Sequence, residues 1–90
     1  MGKIQRQGDV KFNIHAGKRL RKARIELGNS QSWVAERIKV TFQQIQKYEK
    51  GKNGMSASIL GRMAIILNVT VNYFYEGYDF ANEVSSFAYK

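Results

Sequence analysis

Apolar residues in this chain recur at helical spacing from Ile14 to Phe74, broken by short polar punctuation. Over residues 13–27, Ile14, Leu20, Ala23 and Leu27 fall on one inner face, while Lys18, Arg19, Arg21 and Lys22 crowd the rest. Gly28 follows directly, and a glycine just past a helix supplies the left-handed residue that ends it. Ser30 is a good N-cap for a second helix running from Gln31 to about Lys39, with Trp33 or Val34, Ala35 and Ile38 facing inward. Thr41 caps a third helix, and the order Thr41, Phe42, Gln43, Gln44 fits a capping box. Val40 before the cap and Ile45 after it fit a hydrophobic staple. Within this helix Ile45 and Tyr48 point to the core, and Phe42, Gln43, Gln46, Lys47 and Lys50 lie elsewhere around the cylinder.

The loop Gly51-Lys52-Asn53-Gly54 precedes a second staple-and-cap start, Met55-Ser56 with Leu60. It opens a fourth helix with Ile59 or Leu60, Met63, Ala64 and Leu67 inward and Asn68 as a left-handed stop. Val69-Thr70 with Phe74 makes a third such start, for a short fifth helix to about Tyr75. No strand-like alternation of any length occurs, so the pattern predicts an all-α domain of five helices over residues 13–77. Residues 1–12 are polar and aperiodic, a flexible basic arm with Lys3, Arg6 and Lys11. Such an arm either follows a DNA backbone or minor groove or has no role. In the tail, residues 78–90, Phe80, Val84 and Phe87 stand at i, i+4 and i+7, one stripe of a short C-terminal helix, with Tyr89 beyond. That stripe either docks on its own domain or meets a second copy or another partner.

Charge narrows the chemistry. The net charge is +8 and the sequence pI about 10.0, which points to a polyanionic partner, although a basic surface also serves solubility. Residues 1–52 hold thirteen Lys/Arg against four Asp/Glu, and residues 53–90 two against three, placing an anion-binding surface in the first half. There is no Cys, and His15 is the one His. No acid/base pair, nucleophile beside a His, Walker-type loop or metal cluster is present, so neither an enzyme nor a cofactor is implied. No apolar run approaches the roughly 18–20 residues of a membrane span, and the N-terminus lacks the apolar block of a secretory signal. A cytoplasmic protein is the expectation.

Gln43 and Lys47, four apart, share one face of the third helix. A Gln is able to bond adenine bidentately, and a Lys reaches guanine or a phosphate. Gln46 neighbours them, as does Gln44, whose side chain is divided between the capping box and the bases. Arg19, Arg21, Lys22, Lys50, Lys52 and Asn53 are candidate phosphate contacts, each neutralised phosphate adding about −0.9 to the salt slope. Trp33 reads as packing.

Residues 16–77 resemble the XRE/Cro family of helix-turn-helix regulators, which includes the lambdoid phage repressors. The likeness rests on Arg24-Ile25-Glu26-Leu27-Gly28, on Gln31 with Ala35, and on Val40-Thr41. It continues through Ile45, Tyr48-Glu49 and Gly51 to Leu67-Asn68-Val69-Thr70-Val71-Asn72-Tyr73-Phe74. It implies a compact lambda-repressor-like domain whose third helix enters the major groove of double-stranded DNA, acting as a two-fold dimer. By position, Phe42, Gln43 and Lys47 would reach base edges and Gln31 a phosphate at a helix N-terminus. Arg24 and Glu49 would form a partly buried ion pair tying the first helix to the third. The resemblance implies a repressor that occludes a promoter. The alternative is a partner-binding module acting through Phe80, Val84, Phe87 and Tyr89. Two departures stand out. Lys39 replaces a turn glycine, so the turn is expected to differ slightly. Phe42 replaces a residue that is often polar, and either meets thymine methyl groups or packs on the second helix.

Overall fold

Ser30, Thr41, Ser56 and Thr70 each sit in extended backbone and accept a hydrogen bond from the amide three residues on, at 3.0–3.2 Å. Each satisfies an amide that the first helical turn leaves without a partner, which stabilises a helix start by about 1 kcal/mol. Val40, Met55 and Val69 precede three of these caps and pack on the core that holds Ile45, Leu60 and Phe74. The staples therefore fix the angle at which each segment enters the core.

The computed structural model describes the backbone of residues 7–88 and the side chains of residues 9–84. Its elements are α1 (Gln7–Glu26), α2 (Gln31–Ile38), α3 (Phe42–Glu49), α4 (Ala57–Leu67), a 3-10 turn (Val71–Phe74) and α5 (Phe80–Ala88). No strand occurs among the described residues. The predicted fifth helix is thus a single 3-10 turn, and the tail supplies α5, capped by Asp79 through the Asn82 amide at 3.0 Å. Leu20, Val34, Ile45, Met63, Leu67 and Phe74 have fully buried side chains, drawn from α1 through the 3-10 turn. Burying each contributes roughly 1.5–3 kcal/mol.

α1 differs from the sequence reading. It begins by Gln7, so residues 7–12 are helical rather than an arm; residues 1–6, with Lys3 and Arg6, lie outside the described residues. The reason is tertiary. Phe12 stacks on Tyr75 at 5.3 Å and meets Tyr78 and Phe80, each at 5.2 Å, which gives an otherwise aperiodic stretch something to pack on. The buried stripe of α1 is Ala16, Leu20 and Ala23, whereas Ile14 and Leu27 are exposed. Ile14 instead lies against the backbone of Gly51, where a β-carbon would come within 2.8 Å of its Cγ1.

Two backbone positions set where α3 lies. Gly17 faces the C-terminal end of α3 so closely that a β-carbon there would lie 2.8 Å from the Glu49 carbonyl oxygen and nearer still to that of Tyr48. Lys39 ends α2 with φ 64° and ψ 45°, and its amide and that of Val40 both donate to the Ala35 carbonyl. The turn between α2 and α3 therefore keeps the left-handed conformation natural to glycine. The β-carbon of Lys39 carries a strain of roughly 1–2 kcal/mol rather than altering the turn.

Candidate nucleic-acid interface

α3 divides cleanly around its axis. Ile45, Tyr48 and Glu49 are buried, and burial pushes the Tyr48 phenol above its ordinary pKa. At 3.6 residues per turn, Phe42, Gln46, Lys50, Gln43 and Lys47 fall in that angular order on an outer arc of about 140°. Gln46 is half-buried and the other four are exposed. The polar side chains of Gln43, Gln46, Lys47 and Lys50 have no hydrogen-bond or ion-pair partner among the described residues. The arc therefore presents unused amide and ammonium groups with one aromatic ring at its start.

The acidic residue of α3 is withdrawn from this surface. Arg24 Nε and Nη2 donate to the two carboxylate oxygens of Glu49 at 2.6 and 3.0 Å, and Arg24 Nη1 donates to the Asn29 carbonyl at 2.9 Å. The side chains of Arg24 and Glu49 are 11% and 4% exposed. A fork-on-carboxylate pair of this kind is geometrically specific. It clamps the end of α1 to the end of α3 and leaves the outer arc with cationic charge alone.

Gln31 joins the same pair. Its Nε2 donates to Glu49 Oε1 at 2.9 Å, so this amide, predicted as a phosphate contact, has an internal partner that orients it at the first turn of α2. Gln44 is likewise engaged. Its Nε2 donates to Asn53 Oδ1 at 3.2 Å, turning to the loop rather than back to Thr41 as a capping box requires. Asn53 Nδ2 in turn donates to the Lys52 carbonyl at 3.1 Å. Gln44 and Asn53 thus tie the loop after α3 to its N-terminal half, beside the exposed Lys50 and Lys52.

The basic residues of α1 part into two groups. Arg19 donates from Nε to the Tyr73 carbonyl and from Nη2 to Glu76, both at 2.9 Å, with its guanidinium 3.8 Å from the Tyr73 ring centre. Lys22 pairs with Glu26 at 2.6 Å, and that bond, then the carboxylate's charge, raises its pKa, with Tyr73 also close enough to contribute. Both residues, predicted as phosphate contacts, hold acidic partners, Arg19 beside the 3-10 turn and Lys22 one turn along α1. Arg21 is exposed and has no partner among the described residues. It follows Gly17 by four residues and precedes Arg24 by three, which puts it on the side of α1 that meets α3.

Sequence reasoning missed Gly17, although a glycine inside a helix without a local reason is a signal of close approach. It also gave Trp33 no partner, whereas Arg37 lies over its ring at 3.8 Å and donates to its carbonyl at 3.2 Å. Phe80 opens the tail stripe by docking at home, 4.6 Å from Tyr78 and 5.2 Å from Phe12, while Val84 is 60% exposed. The side chain of Phe87 and the whole of Tyr89 lie outside the described residues.

Two helices joined by a tight left-handed turn, the second presenting a free polar arc, define the motif. A family model described as Helix-turn-helix matches residues 20–74, more than half of the chain. The chain belongs to the helix-turn-helix family. The resemblance to XRE/Cro regulators and the lambda-repressor-like all-α fold are both upheld. The helix-turn-helix chain is 52% identical over 65 residues to an uncharacterized HTH-type transcriptional regulator of Sinorhizobium medicae, covering 72% of this chain and 47% of that one. It is 49% identical over 63 residues to an uncharacterized transcriptional regulator in the ATPase CF(0) region of Rhodospirillum rubrum, covering 70% and 58%. The chain thus spans about half the length of the relatives it matches. Among solved structures it resembles the restriction-modification controller protein C.AhdI of Aeromonas hydrophila. The TM-score is 0.65 at 22% identity, over 69% of this chain and 94% of that one, a likeness of fold. Among the described residues of the helix-turn-helix chain, no helix is long and apolar enough to cross a membrane and no group of three or more His, Asp or Glu could hold a metal ion.

Proposed function

We propose that this helix-turn-helix chain is a sequence-specific transcriptional regulator of double-stranded DNA, a cytoplasmic repressor that lays α3 in the major groove as a homodimer. The observation that carries the proposal is the partner-free arc of α3. The buried residues of α3 are Ile45, Tyr48 and Glu49, so the polar groups of Gln43, Gln46 and Lys47, without partners among the described residues, are at liberty to meet base edges. Lys50 at the C-terminal end of the arc, with Arg21, Lys52 and Asn53 beside it, suits phosphates. Gln31 contributes its second Nε2 hydrogen beside the free amides at the start of α2. Arg19 and Lys22 are left out of this set because each is already paired with a carboxylate. The names of the relatives, as transcriptional regulators and a controller protein, favour the same activity. In a two-fold dimer the half-sites lie about one helical turn, 34–36 Å, apart.

Selection of bound sequences from a random duplex pool tests the proposal. The expected result is an enriched pseudo-palindrome whose preference relaxes at one position per half-site in Gln43→Ala, a loss of about 1–3 kcal/mol of discrimination there. Salt-sensitive binding with no enriched sequence refutes it. A second reading is favoured by the outward face of α5, where Val84 remains exposed. On that reading Phe80, Val84, Phe87 and Tyr89 form a dimer or partner contact. Val84→Lys distinguishes it: loss of partner binding with DNA affinity retained favours this reading, in which DNA binding is secondary, while loss of dimerisation and DNA affinity together favours the first.

A further inference from the structure

Eight of the nine aromatic side chains described have an internal partner. Trp33, Tyr48, Tyr73, Phe74 and Tyr75 belong to the core or pack on it, and Phe12, Tyr78 and Phe80 form one ring cluster. Phe42 is the exception. It is 41% exposed, lies outside the core and its packed shell, and meets neither a ring nor a guanidinium among the described residues. Its backbone is held in place, since Thr41 caps the helix directly before it and Val40 packs on the core. Phe42 is thus an apolar group fixed at the leading edge of a polar, cationic arc.

We propose that Phe42 reads the C5 methyl group of a pyrimidine in the major groove. This rests on the DNA-binding reading of α3. The C5 methyl is the apolar feature that a base pair displays in that groove, and an aromatic ring able only to make apolar contact suits it. Thymine and 5-methylcytosine carry the same group, so either base meets the requirement at the position facing the start of α3. Phe42 is then a specificity-determining residue beside Gln43, which supplies the hydrogen bonds that a ring lacks.

The experiment uses the duplex recovered by selection, re-synthesised with deoxyuridine for thymine, or 5-methylcytosine for cytosine, one position at a time. Affinity is measured for the full chain and for Phe42→Ala and Phe42→Leu. At one position per half-site, removing the thymine methyl is expected to weaken the native chain about threefold to fourfold, the worth of burying one methyl group. If the source is cytosine, methylation strengthens binding by the same factor. Phe42→Ala should be indifferent to either change and Phe42→Leu should keep part of the response, both melting as the native chain does. Indifference of the native chain to both changes overturns the proposal. An unaltered response in Phe42→Ala also overturns it, by assigning the methyl to another residue. Failure to enrich any duplex removes the DNA-binding reading itself, and this one with it, before any base is altered.

Discussion

Replacing Glu49 by Ala tests the clamp between α1 and α3. The change removes three acceptor contacts at once: two from Arg24 and one from Gln31. Arg24 keeps its bond to the Asn29 carbonyl, but its side chain, 11% exposed in the native structure, loses its counter-charge. Stranding a charge at that depth costs about 3–5 kcal/mol. In a domain of this size each kcal/mol moves the melting temperature by about 4–8 °C, so a fall of at least roughly 12 °C is expected. The reverse deletion, Arg24→Ala, leaves a carboxylate that is 4% exposed and should cost a similar amount. The double variant Arg24→Met with Glu49→Leu removes both charges and keeps apolar volume. It should melt above either single variant, because the desolvation penalty vanishes together with the attraction. Thermal unfolding followed by circular dichroism at fixed pH and salt measures all four states. Glu49→Ala melting with the native chain, or losses that simply add in the double variant, would refute the reasoning.

Lys39→Gly should leave the melting temperature level or raise it, by at most about 6–12 °C. It relieves a β-carbon at φ 64°, worth roughly 1–2 kcal/mol, against about 0.5–1 kcal/mol of added chain entropy in the unfolded state; a lower melt would show that Lys39 is unstrained. Tyr78 predicts an alkaline limit. Loss of solvation, then its hydrogen bond to Glu83, raises its phenol from 10.0 to about 12. Between those values the folded chain holds the proton that the unfolded chain releases, so the stability Tyr78 contributes is complete below pH 10 and is lost as pH rises through about 12. Absorbance titration of the phenols should show the last transition missing in Tyr78→Phe, and its persistence would assign it elsewhere.

Helix starts were legible because they are local. Thr41, Ser56 and Thr70 with the apolar residues around them carry their own instructions within about six positions. What depends on distant chain was not legible. Residues 7–12 are helical because Phe12 meets Tyr75 and Tyr78, more than sixty residues away. Arg19 looked like a free cation, and its engagement with Tyr73 and Glu76 spans 54 and 57 positions. Gln31 and Gln44 were marked out by type, but type does not say which of several acceptors an amide will find. Lys39 shows a third limit, because a tight turn demanded a left-handed residue whether or not the chain supplied glycine there.

The division of α3 into two faces also bears on how such a protein changes over generations. Val40, Thr41, Ile45, Tyr48 and Glu49 answer to the fold, while the side chains of Phe42, Gln43, Gln46, Lys47 and Lys50 make no hydrogen bond, ion pair or ring contact within the described residues. Two separate messages are therefore written in ten of the eleven residues from Val40 to Lys50, interleaved along α3 and its caps but readable independently. A substitution in the second set alters what the surface meets without being screened out by unfolding. New preferences can accumulate there one residue at a time on an unaltered scaffold.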